Sequence, residues 1–405
     1  MSERPGSWTA EEQALLWAVG SGIRVASGRE GRACDAAPAC REIDPVALVR
    51  LAELHGVAGL AAEGLLAVVE DSASPAAAAV DRLVASRDAQ VRRSVRLASE
   101  LLRLLELFGR AGIRAVPMKG PLLAHRFYGS LARRGFWDLD LLLPHEAVLA
   151  AKDILLAQGY EPEHAWSPRQ ERRELRRNCE YNFDHRSSGI HVELHWRFLE
   201  PSIGFDLSVE DTWTRLESVD FLGRSIPVLA LPDELLALIV HNGAKHGWER
   251  LRMTADVALM GARMSDEELR LLANRAETLG VRRVVATGAL LASNLLAAPM
   301  GYLQEWAQAD PRAEWLARHY AGEVFRFDVE RRRDGLAHAR AYLVARERPV
   351  DRLRYAPRLA RAVFLPTDRE DALIPLPRAL RGLHYAVRPV RLAWKYLRRA
   401  VRGPR

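Results

Sequence analysis

The chain has 405 residues, 49% hydrophobic and 27% charged, which excludes a disordered or low-complexity protein and leaves room for about two or three domains at roughly 100–200 residues each. No apolar run approaches the roughly 20 residues of a spanning helix, and the start Met1-Ser-Glu-Arg-Pro-Gly has no apolar stretch of a signal peptide, so neither is expected. The net charge of +7 is local: residues 351–405 carry 14 basic and four acidic side chains, whereas the first 350 have a net charge of −3.

Residues 1–110 read as a helical region. Thr9-x-x-Glu12 is a capping box. Asp44-Pro45 and Ser74-Pro75 each pair an N-cap with a first-turn proline. Val80, Leu83, Val84, Leu97, Leu101 and Leu104 recur at mostly helical spacing and predict a long amphipathic helix that stops at residues 109–112. Cys34-x5-Cys40 has no second ligand pair nearby and reads as a loop rather than a zinc site. Three cysteines, Cys34, Cys40 and Cys179, fit a reducing compartment, and a cytoplasmic location is expected.

The pattern changes over residues 111–204, which read as a small α/β core. Residues 113–118 predict a strand, 121–128 a short helix, and 138–143 a strand buried on both faces. A helix is expected from Pro144 to near Gly159. Residues 179–186 and 190–198 alternate and flank Ser187-Ser188-Gly189, a hairpin signal. From about residue 205 to 350 the chain reads as helical again, with a helix over 232–246 and a capping box at Ser265-x-x-Glu268. Residues 366–377 predict a loop inside the basic segment 351–405. The fold class expected is α+β, predominantly helical.

Four groups of residues carry chemistry. Asp138 and Asp140 alternate with Leu139 on a strand, so both carboxylates face one way, about 7 Å apart, and can share a pair of Mg²⁺ ions. In His191-Val192-Glu193-Leu194-His195, Glu193 offers a third carboxylate on a neighbouring strand. Zinc held by His191 and His195 is disfavoured, because residues four apart on a strand are separated by about 13 Å. Met118-Lys119-Gly120 sits where a strand gives way to a helix, a place suited to phosphate. His241, Lys245, His246 and Arg250 gather on or after a helix and could close over phosphates. Only four of the 59 basic residues are lysines (Lys119, Lys152, Lys245 and Lys395), so two of the four fall in these motifs.

Together these residues resemble the uncharacterised nucleotidyltransferases of the polymerase-β-like superfamily, some of which occur in natural-product clusters, including those of lasso peptides. The resemblance rests on Met118-Lys119-Gly120, Tyr128, Arg134-x3-Asp138-Leu139-Asp140, Gly159-Tyr160, Val192-Glu193-Leu194-His195-Trp196 and His241-x3-Lys245-His246-x-Trp248-x-Arg250 through Asp256. It implies a polymerase-β-like α/β core flanked by helical regions. It also implies Mg²⁺-dependent transfer of an NMP group from an NTP to a hydroxyl acceptor on a small molecule or peptide. Carried over, Asp138, Asp140 and Glu193 would be the catalytic metal ligands, and Lys119, Gly120, Arg134, Lys245 and His246 would meet the nucleotide.

The sequence departs from the superfamily in three places. Lys119-Gly120 stands where Gly-Ser is usual, Trp137 precedes the first aspartate, and the third carboxylate is Glu rather than Asp. These departures keep open a catalytically degenerate nucleotide-binding or scaffold protein. The tail over 378–405, with Arg378, Arg381, Arg388, Arg391, Lys395, Arg398, Arg399, Arg402 and Arg405 interleaved with Tyr385, Trp394 and Tyr396, reads as a basic helix packed on the body or as a surface for RNA or anionic lipid.

Overall fold

The computed structural model describes residues 8–29, 43–67, 69, 74–205, 207–326, 339–365 and 382–402. The Cys34/Cys40 segment, the loop expected over 366–377, and Arg378, Arg381 and Arg405 lie outside the described residues, as do the side chains of 395–402.

Four helices open the chain: α1 (Ala10–Ala26), α2 (Pro45–His55), α3 (Ala58–Leu66) and α4 (Pro75–Arg110). Their starts follow from the caps. Thr9 and Glu12 form the reciprocal capping box, and the Asp44 and Ser74 side chains accept the N–H groups of Val46 and Ala77. The 36 residues of α4 span about 54 Å at 1.5 Å per residue, long enough to serve two cores. Its first half buries Ala76, Ala79, Val80 and Leu83 among helices, and its second half buries Leu97, Leu101, Leu104 and Phe108 against the sheet.

The sheet has five strands: β1 (Val116–Pro117), β2 (Asp138–Leu142), β3 (Tyr160–Pro162), β4 (Glu180–His185) and β5 (His191–His195), in spatial order β1-β2-β5-β4-β3. β2 and β5 run parallel, and every other pairing is antiparallel. β1 is shorter than the expected 113–118, and Pro117 lacks the N–H that would continue the ladder. Helices α5 (Gly120–Tyr128), α6 (Val148–Ala157) and α7 (Pro168–Arg177) complete this unit.

The expectation that the chain is helical again from about residue 205 is corrected at its start by a second, two-stranded sheet, β6 (Glu217–Phe221) with β7 (Arg224–Val228). Val219 and Phe221 alternate with Ile226 and Val228 across a two-residue turn, Leu222-Gly223, whose φ values are both positive (53° and 80°). That is the turn that matches strand twist; a leucine in its first position hides it, because Asn or Asp is the usual signal.

The rest is helical: α8 (Leu231–Val240), α9 (Leu251–Gly261), α10 (Asp266–Leu279), α11 (Arg282–Leu296), α12 (Tyr302–Gln308), α13 (Pro311–Glu323), α14 (Ala339–Ala345), α15 (Pro349–Phe364) and α16 (His384–Arg402). α11 lies at the centre, packed on α1, α8, α9, α12 and α13. The fold is therefore α+β and predominantly helical, with a small mixed sheet. α16 packs on α15, where buried Arg388 donates to the Ala362 carbonyl at 2.8 and 3.0 Å. Among the described residues no helix is long and apolar enough to cross a membrane.

After α8 the chain does not continue as an α-helix. His241–Lys245 winds as a π-helical turn, which brings residues five apart into line, and the His241 and His246 rings lie 4.7 Å apart. Trp248 anchors this departure. Its buried ring is held between Gly243 and Gly288, where a Cβ would come within 2.9 and 2.8 Å of it. Residues larger than glycine at either place would displace the ring.

Candidate active site on the polar face of the sheet

The register of three strands builds the site. Asp140 on β2 lies beside Glu193 on β5, and Asp138 beside His191. On the other side of β5, Glu180 pairs with His195, Asn182 with Glu193 and Asp184 with His191. Partners across a rung point the same way, so one face carries Asp138, Asp140, Glu193, His191, His195, Glu180, Asn182 and Asp184. The intervening Leu139, Leu141, Val192, Leu194, Tyr181 and Phe183 fill the core behind it.

The side chains on this face alternate in charge. Asp140, only 3% exposed, accepts a hydrogen bond from Lys119 Nζ at 2.8 Å through Oδ1. The same Oδ1 lies 3.1 Å from His195 Nε2, which is also 3.1 Å from Glu193 Oε2. His195 is 0% exposed, and its Nδ1 faces Glu180 Oε2 at 3.7 Å. Lys245 Nζ, arriving from the π turn, donates to that same Glu180 oxygen at 2.6 Å. His191 closes the row, 2.9 Å from Asp184 and 3.6 Å from Glu193.

The titration behaviour follows from this arrangement. Burial would raise Asp140, but Lys119 and His195 overrule it and hold the carboxyl well below its ordinary range. Glu193 is likewise lowered, by His191 and His195 against burial. Asp138 is raised, by burial and then by the Asp140 charge. Burial works against the charged forms of Lys119 and His195, yet both are raised; Asp140 is the main source for each. Glu193 lifts His191 to about 9, with burial opposing and Asp184 adding. His241, in contrast, is driven well below its usual value by burial and by Lys119, so it stays neutral.

Lys119 owes its position to Gly120. The chain leaves β1 and starts α5 with Gly120 at φ +65°, a left-handed conformation, 3.3 Å (from its would-be Cβ) from the Asp138 carbonyl. A larger residue there would strain the turn that presents Lys119 to Asp140.

Of the residues expected from the sequence, Asp138, Asp140, Glu193, Lys119 and Lys245 converge on this face. His246 stands beside it, its ring tilted against that of His241 and 3.5 Å from Glu249. Arg134 takes other partners. It is buried, and its Nε and Nη2 donate to the two Asp256 oxygens at 2.7 and 2.8 Å, while the Tyr128 hydroxyl donates to Asp256 at 2.6 Å. Trp137 is 44% exposed; its ring packs near Gly56 and Gly135 and carries the Arg252 guanidinium 5.2 Å from its centre.

The sequence put His195 in the right strand pattern and Asp256 in the family motif, but it assigned His195 no role beside Asp140, gave Asp256 no partner and did not single out Glu180. The alternation His191-x-Glu193-x-His195 was a usable signal for His195, because it puts all three on one face. Glu180 needed the β4–β5 register, and Asp256 lies 122 residues from Arg134, beyond any local pattern.

The donor set suits a divalent cation. Asp140, Glu193 and His195 each bring a ligand atom within 4.8 Å of the others. Asp140 Oδ2 is buried and has no hydrogen-bond partner, a state that ordinarily costs about 1–3 kcal/mol or more for a charged group. Cys179, Glu180 and His195 form a second such group around the other nitrogen of the same imidazole.

A comparison with curated proteins finds no match. The sequence profile of a family described as uncharacterised nucleotidyltransferase matches residues 41–297, which includes the whole five-stranded sheet and the helices from α2 to α11. With well over half of its length matched, and its acidic strand pair at the heart of the match, the chain belongs to this family of uncharacterised nucleotidyltransferases.

Proposed function

We propose that the protein transfers an NMP group from a nucleoside triphosphate to a hydroxyl acceptor on a small molecule or peptide, with a divalent cation such as Mg²⁺. One observation supports this above the others: Asp140 and Glu193 stand side by side on parallel strands, with Asp140 Oδ2 buried and unpartnered, at the point where Lys119 and Gly120 start α5.

In this reading Asp140, Glu193 and Asp138 hold two metal ions, and His195 stands beside the first two. When bound, the ions neutralise charge on the phosphates and acidify the acceptor hydroxyl. The chain's own residues do the rest. Lys119 releases Asp140 and turns to the triphosphate, where Gly120 leaves room for close approach. Lys245 and His246 face the phosphates from the helical side, and Glu180 parks Lys245 at 2.6 Å until nucleotide arrives. Glu193 takes the acceptor proton in this reading. The attacking oxygen forms its bond to the α-phosphorus as the bond to pyrophosphate breaks. Arg134 acts as a positioning residue, tying the segment before β2 to α9 through Asp256.

A second reading, nucleotide binding without turnover, is favoured by one feature: Lys119 and His195 already neutralise Asp140. Pyrophosphate release separates the two. The protein, incubated with mixed NTPs, Mg²⁺ and a cell extract as acceptor source, is expected to release pyrophosphate, and Asp140→Asn is expected not to. Nucleotide binding with no release above the Asp140→Asn background would establish the second reading.

A further inference from the structure

We propose that His195 is itself a metal ligand, through Nε2, and that the site therefore prefers a first-row transition ion such as Mn²⁺ over Mg²⁺. This rests on the metal-dependent reading above and replaces an all-oxygen ligand set with two carboxylates and one imidazole.

Four observations place the nitrogen there. His195 Nε2 is equidistant from Asp140 Oδ1 and Glu193 Oε2, at 3.1 Å from each, so the ring aims between the two carboxylates rather than at one of them. The ring is wholly buried and held by its strand, so it is fixed before any ion arrives. Asp140 still has an unpartnered oxygen, Oδ2, although Lys119 and His195 both approach Oδ1. Finally, the far nitrogen, Nδ1, is buried without a hydrogen-bond partner, and the Glu180 carboxylate, which Lys245 holds at 2.6 Å, stands 3.7 Å from it. A small shift of that carboxylate onto Nδ1 would give the pairing that orients a metal-bound histidine and fixes which nitrogen carries the proton. As a simple counter-charge His195 would need none of this, because Lys119 already pairs with Asp140.

The chemical consequence is selectivity. Mg²⁺ takes oxygen ligands and keeps much of its water, whereas an imidazole in the set favours the later divalent ions. Mn²⁺ accepts both donor types, and its electron spin reports a bound nitrogen directly.

The test uses the full chain. Mn²⁺ is titrated into the protein and followed by the loss of its free-ion EPR signal, then displaced with Mg²⁺; pulsed EPR reads coupling to ¹⁴N. The expected result is Mn²⁺ bound at least about tenfold more tightly than Mg²⁺, with nitrogen coupling in the wild type. Coupling should persist in His191→Gln and Cys179→Ala and vanish in His195→Gln, where the preference for Mn²⁺ also shrinks. Asp140→Asn should abolish the site, which separates it from the Cys179–Glu180 side of the ring. If His195→Gln does not fold, the wild-type and His191→Gln spectra still decide. Mn²⁺ bound in an Asp140-dependent way without nitrogen coupling overturns the proposal and leaves the metal-dependent reading intact. No binding of either ion, with or without NTP, overturns both.

Discussion

Two of the buried charge networks among the described residues are built differently. Around Asp256 everything is matched: Arg134 meets both carboxylate oxygens and Tyr128 adds a third donor. Around Asp140 the matching is incomplete. Two donors crowd one oxygen, the other has none, and Glu193 and Asp138 crowd the site with further negative charge. A closed network fixes the position of a segment. An open one carries an electrostatic debt that a ligand can settle, and that difference separates the structural pair from the face proposed as the site.

Substitutions should divide along this line. Asp140→Asn is expected to lower the rate of pyrophosphate release on the order of 10³-fold, about 4 kcal/mol of barrier, while losing less stability than Asp256→Ala in urea unfolding. Asp256→Ala leaves Arg134 buried without its counter-charge and should cost about 3–5 kcal/mol of stability. Equal stability losses in the two would erase the distinction.

A third buried polar group, His55, sharpens the contrast because it is neutral. Its Nδ1 accepts the Leu251 N–H at 3.0 Å, and burial, with Arg250 nearby, depresses its pKa from 6.5 to about 4. The unfolded chain takes up the proton first, so the stability contributed is present above about pH 6.5 and is lost as the pH falls towards about 4. A shift of that size corresponds to roughly 3 kcal/mol. His55→Asn, which keeps an acceptor, should flatten the stability profile between those two pH values; an unchanged acid slope would show that His55 is not the group responsible. The smallest effect is expected at Lys245. Lys245→Met should weaken NTP binding about tenfold, 1.4 kcal/mol, and also release Glu180; unchanged affinity would confine Lys245 to its ion pair.

The sequence made part of this visible, for a physical reason. Strand alternation is local, so Asp138 and Asp140 could be assigned to one face of their strand and His191, Glu193 and His195 to one face of theirs, and caps such as Thr9, Asp44 and Ser265 marked helix starts. Pairing is not local. That Glu180 lies across from His195, and that Asp256 takes both donors from Arg134, depends on register and on packing between distant segments. The β6–β7 hairpin escaped because Leu222 occupies a left-handed position that leucine rarely takes, and the π turn because Trp248, not a helical pattern, dictates it. The charge distribution misleads in the same way: the basic surplus lies in the tail, far along the chain from the acidic face.

The central claim is that the open network around Asp140 binds nucleotide through a metal. Calorimetry of ATP and GTP binding, with and without Mg²⁺ or Mn²⁺, tests it on the wild type, Asp140→Asn and Glu193→Gln. The expected result is metal-dependent binding of at least one nucleotide to the wild type, lost in both variants. Binding of equal strength without metal, or undiminished in the two variants, would contradict it.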